Sequence, residues 1–177
     1  MHKKVLKNIN LFKLVKVPRH LESQIQKCAL KHLELKDMGQ LRDRMEGQAY
    51  YDRLKNDILS EYAFETLIGI TKFDWKKREV KGYKRNLYYF NSTPLRLIVF
   101  SGNELPKIST KDINNSVFVY VNPELRVYIS GIAKKSDLEK ELSQFHKVTH
   151  PRSAVIEYTN FANLKAFSGI DDLELTL

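Results

Sequence analysis

At Gly69 the spacing of apolar residues changes, and this constrains the fold more than any other feature of the chain. Before it, apolar side chains recur every three or four residues, the period of a helix with one buried face; after it they alternate or run together, as strands require. Leu21, Ile25, Ala29 and Leu33 fall at intervals of one turn and predict a helix over residues 19 to about 36. A second helical pattern starts near Gln40 with Leu41 and Met45, breaks at Gly47, and continues through Leu54, Ile58, Tyr62 and Ala63 into FETLIGI. The expected class is α/β in α+β order: N-terminal helices followed by a mixed central sheet.

In the second half, residues 70–80 and 87–91 are expected to form a hairpin around a turn at Lys81 and Gly82. LRLIVFS, at 95–101, has the near-continuous apolar run of a central strand buried on both faces. SVFVYVN and RVYISGI, separated by Pro123 and Glu124, form a second hairpin, and Ser136 with Glu139 reads as the capping box of a helix ending near Phe145. SAVIEY, at 153–158, is the last expected strand. At 177 residues the chain suits a single domain 1–177, divided into a basic N-terminal arm (1–18), a helical part (19–69), a sheet part (70–158) and a C-terminal tail (159–177). The arm is expected as an extended segment or edge strand up to Pro18. The tail ends acidic at Asp171, Asp172 and Glu174 and is expected to dock on the basic face of its own chain or of a neighbour.

Lys and Arg number 30 against 21 Asp and Glu, a formal charge of +9, which favours a polyanionic partner. The excess is concentrated. Lys72, Lys76, Lys77, Arg78, Lys81, Lys84 and Arg85 face only Asp74 and Glu79, and Trp75 and Tyr83 lie within the same run. Cations for phosphates and rings for bases are thus supplied together. These residues are the candidate nucleic-acid contacts, with DNA the expected partner, although solvated basic clusters also occur on proteins that bind no nucleic acid. No apolar stretch is long enough to cross a bilayer and no signal-peptide core is present, so a cytoplasmic location without a membrane partner is expected. Cys28, the sole cysteine, rules out an internal disulfide and a Cys-rich zinc site. Neither Cys28 with His32 nor His146 with His150 has further zinc ligands nearby in sequence, and the seven glycines fit no phosphate-binding loop.

Asp57 and Glu61 stand one turn apart on the helix entering the sheet, where both could reach one divalent cation or simply meet Arg53, Lys55 and water. The order of segments carries more. The helix NDILSEYAFETLIG, a basic hairpin, LRLIVFS, then VFVYVN and RVYISGIAKKSDL resembles nucleases of the PD-(D/E)XK superfamily over roughly residues 50–142. The resemblance implies a restriction-endonuclease-like core in which Glu61 matches the helix glutamate of a magnesium site. It also implies strand acids that are missing here: between Val80 and Asn103 there is no Asp or Glu, with Asn91 and Arg96 standing near the expected places. Magnesium needs anionic oxygens that these residues do not offer.

The expected function is therefore a non-catalytic, nucleic-acid-associated protein on a nuclease-like scaffold, without a cofactor. Its setting would be the bacterial cytoplasm or a phage or mobile-element particle, as a homo-oligomer or part of a larger assembly. The first alternative is a magnesium-dependent DNA endonuclease using Glu61 and Asp57, with Asp74, Glu79 or Glu104 as the displaced acid. The second is a structural subunit whose basic strip meets a neighbour's acidic tail without DNA.

Overall fold

The computed structural model describes residues 1–70, 73–110, 113–148, 155–164 and 173–176. The fold is mixed α/β. The helical half contains α1 (Lys3–Leu6), α2 (His20–Leu33), α3 (Met38–Asp43) and α4 (Gly47–Leu67), with strand β1 (Lys13–Lys16) between α1 and α2. After these come α5 (Trp75–Arg78), β2 (Leu87–Phe90), β3 (Thr93–Ser101), β4 (Lys107–Ser109), β5 (Asn115–Asn122), β6 (Arg126–Ala133), α6 (Lys135–Val148), β7 (Val155–Glu157) and β8 (Leu173–Thr176).

The main sheet runs β1-β6-β5-β3-β2-β8, with β3 and β5 parallel and every other neighbour antiparallel. Alternation along β5 divides the interior. Val117, Val119 and Val121 face α2 and α4 and pack with Ile25, Ile58 and Phe64. Phe118 and Tyr120 face the opposite way and pack with Leu138 of α6, Phe100, Tyr158 and Phe161. Phe118 stacks on Tyr158 at 4.5 Å between ring centroids. Each of these side chains stabilises the fold by about 1.5–3 kcal/mol on burial. Gly47 permits the close approach of α3 and α4, because a Cβ there would stand 2.1 Å from the Leu41 carbonyl oxygen.

Several sequence expectations are corrected. The described residues of 70–80 contribute no strand: Asp74 accepts a 2.9 Å hydrogen bond from the Lys76 N–H and caps α5 instead. The turn at Lys81 and Gly82 is real, closed by Tyr83 N–H to the Val80 carbonyl at 3.2 Å with Gly82 at φ 76°, but it joins a helix to a loop. The first hairpin is β2–β3, whose two-residue turn places Asn91 and Ser92 at φ 49° and 56°. β3 is only half-buried over Leu97 to Val99, because four-residue β2 covers just its first half; β5 is the strand buried along nearly its whole length. Helix α6 begins one residue before Ser136, and the Asn115 side chain accepts from the Lys135 N–H at 2.8 Å.

The N-terminal arm is extended only at β1, the outer strand beside β6, and is preceded by helical turns. β7 pairs with β4 in a separate small sheet. The tail docks in cis through its backbone, β8 lying antiparallel to β2 at the sheet edge. Asp171 and Asp172 lie outside the described residues.

Candidate nucleic-acid interface

Helix α4 carries Asp57, Glu61 and Glu65 one turn apart along one face, where stacked like charges oppose helix formation unless something answers them. The segment after α5 supplies the answer. Arg85 donates through Nη2 to Asp57 Oδ1. The Arg78 Nη2 lies 2.5 Å from Glu61 Oε1, with neither side chain exposed to solvent, and the Asn86 backbone N–H donates to the same oxygen at 3.1 Å. Glu65 Oε1 accepts from Asn86 Nδ2 at 2.7 Å and from the Tyr88 hydroxyl at 3.0 Å. Arginine, amide and hydroxyl groups of residues 78–88 thereby lace the loop onto α4.

Arg78 is enclosed on its other sides as well. Its guanidinium lies 4.2 Å from the Phe73 ring centroid and 5.5 Å from that of Tyr83, and Nη1 donates to the Asp74 carbonyl at 3.1 Å. The Arg78 carbonyl lies 2.8 Å from His32 Nε2; a carbonyl only accepts, so Nε2 carries the proton and Nδ1 accepts from the Tyr50 hydroxyl at 2.8 Å. Burial lowers the pKa of His32, in keeping with that neutral form.

The structure divides the sequence candidates into two groups. Lys76, Lys77, Lys81 and Lys84 are exposed on this loop face, and Lys77 Nζ also donates to Asn86 Oδ1 at 2.9 Å. Trp75 and Tyr83 are half-buried against the core, which leaves part of each ring at the surface. Arg85 is half-buried and paired. Arg78 is withdrawn from any external phosphate by its burial and its ion pair with Glu61, a correction to its reading as a surface contact. Lys72 lies outside the described residues. Beside the lysines, His32, Tyr50, Arg53, Leu54, Asp57 and Arg85 border a cleft of about 430 Å³ that Lys81, Gly82 and Tyr83 complete.

The resemblance to nucleases implies magnesium, and the residues present do not fit it. Glu61 is sealed and already holds a guanidinium; Asp57 holds Arg85, and burial raises its pKa while Arg85 opposes that rise. Asp74 caps α5, Glu79 pairs with Lys31 at 2.7 Å, and Glu104 is exposed beyond β3. Among the described residues, no His, Cys, Asp and Glu side chains form a group of three able to hold a metal ion. Cys28 is buried in the core, where burial raises its pKa, and His32 spends both ring nitrogens on Tyr50 and Arg78. The basic hairpin in the resemblance is replaced by α5 and a loop.

Glu65, Asn86 and Tyr88 were not singled out in the sequence. Their signal was the i, i+4, i+8 spacing of acids on an otherwise apolar helix, which demands partners from elsewhere. Compared with protein families, characterised proteins and solved structures, the chain gives no match.

Proposed function

We propose that this chain is a non-catalytic nucleic-acid-binding protein whose working surface is the loop face that follows α4. One observation carries the reading: Lys76, Lys77, Lys81 and Lys84 of the loop are exposed while the acids of α4 beneath it are turned inward, Glu61 by Arg78 and Glu65 by Asn86 and Tyr88, so that Asp74 and Glu79 are the only acids the segment itself exposes among its described residues. A surface whose exposed cations outnumber its exposed carboxylates attracts phosphates and releases their counterions on binding. Trp75 and Tyr83, half-buried in the same segment, add rings suited to unpaired bases, Tyr83 at the cleft with Tyr50 and Trp75 beside Tyr62 and Phe73. The sealed Glu61 supports the reading without cleavage, since its carboxylate serves as the anchor of the loop.

The test replaces Lys76, Lys77 and Lys84 together with Ala and measures binding to single-stranded and duplex DNA. The expected result is a large loss at low salt with the fold intact by circular dichroism; unchanged affinity would remove the proposal. Plasmid incubated with Mg²⁺ or Mn²⁺ is expected to stay intact. Cutting that disappears in Glu61→Ala would establish the endonuclease alternative instead.

A further inference from the structure

The cleft between α2, α4 and the loop is a different kind of surface from the open lysine lip. Its volume, about 430 Å³, falls in the lower part of the range of small-ligand sites and is too small to admit a duplex. Tyr50, Leu54 and Tyr83 supply its apolar wall, while Arg53, Lys81 and Arg85 meet a single acid, Asp57. Asp57 already answers Arg85. Arg53 and Lys81 are exposed and have no salt-bridge partner within 4 Å among the described residues; Arg53 feels Asp57 only at longer range, so three cations share one carboxylate and the cleft keeps an excess of positive charge. A phosphodiester inside a strand carries one negative charge and would satisfy one of these cations. A terminal phosphate monoester carries about −1.5 to −2 and satisfies both, with three acceptor oxygens in place of two. The Tyr50 hydroxyl donates to His32, which leaves its oxygen as an acceptor toward a sugar hydroxyl or a base amino group.

We infer that this cleft receives the phosphorylated end of a nucleic-acid strand, with the monoester between Arg53 and Lys81 beside Arg85 and the terminal nucleotide against Tyr50 and Tyr83. The inference rests on the nucleic-acid reading above and assigns the cleft a preference that the lysine lip alone would not have.

The experiment measures affinity for one single-stranded sequence in four forms: 5′-phosphorylated, 3′-phosphorylated, hydroxyl at both ends, and closed into a circle. A phosphate at one end is expected to bind about tenfold tighter than the hydroxyl form, the yield of added charge-assisted contacts. The hydroxyl strand and the circle should bind alike. Arg53→Ala combined with Lys81→Ala is expected to bring the phosphorylated strand down to the level of the circle, and a free nucleoside monophosphate should compete with the phosphorylated strand only. Equal binding of phosphorylated and hydroxyl strands by the unmodified protein would overturn the inference and leave the nucleic-acid reading standing. Failure to bind any of the four forms would remove that reading itself, and the inference with it.

Discussion

Replacing Arg78 with Met removes the guanidinium from beneath the loop while keeping most of the aliphatic stem. The structure allows the cost to be worked out. Glu61 would remain without solvent exposure, keeping only the Asn86 N–H at 3.1 Å, and the Phe73 face would lose the cation now 4.2 Å from its centroid. Removing one partner of a buried pair costs about 3–5 kcal/mol, a large share of the 5–15 kcal/mol typical of a folded domain. At this chain length each kcal/mol lowers the melting temperature by roughly 2–4 °C, so a fall of about 10 °C is expected. Urea denaturation followed by circular dichroism at neutral pH reads the change directly. Pairing the substitution with Glu61→Gln removes the stranded charge, and the double variant should recover about 2 kcal/mol relative to the sum of the single ones. A cost below about 1 kcal/mol for Arg78→Met, or strict additivity, would refute the role of Arg78 as the counter-charge of Glu61.

The other outcomes can be checked on the purified chain. Ser92→Gly at the β2–β3 turn, where φ is 56°, should stabilise by about 0.5–1 kcal/mol by relieving a left-handed non-glycine; loss of stability would mean the serine side chain matters more than the backbone. Gly47→Ala should destabilise by about 1–3 kcal/mol, since the added Cβ meets the Leu41 carbonyl at 2.1 Å, and a neutral result would show that α3 is not held against α4. His32 should titrate by NMR with a midpoint below its ordinary 6.5, because burial disfavours the imidazolium. Its contribution to stability is then complete above pH 6.5 and declines as pH falls toward the depressed folded midpoint, by up to about 1.4 kcal/mol per pH unit. A midpoint at or above 6.5 would contradict the neutral tautomer between Tyr50 and Arg78.

The order of elements was legible because it rests on local periodicity. Leu21, Ile25 and Ala29 lie on the buried face of α2, Gly47 starts α4 where a break was expected, and the β5–β6 hairpin falls at SVFVYVN and RVYISGI. Of the two sheet edges, β1 is legible as the edge strand before Pro18, whereas β8 is not, since its pairing with β2 joins residues far apart in the chain and leaves no local pattern. The loop is illegible for a related reason: charged side chains are almost never fully buried unless paired, and no local pattern pairs Arg78 with Glu61, seventeen residues before it. The stacked acids of α4 held the clue that cations from another segment must come to them. The sequence has no feature that says which of Arg78, Lys81, Lys84 and Arg85 would do so.

The most direct test of the working surface is the salt dependence of single-stranded DNA binding, compared between the unmodified protein and the variant with Lys76, Lys77 and Lys84 replaced by Ala. Each lost phosphate contact should reduce the slope of log affinity against log salt by about 0.7, so the variant should bind more weakly at low salt with a slope shallower by about 2. Identical slopes and affinities for the two proteins would place any nucleic-acid contact elsewhere and contradict the assignment of this face.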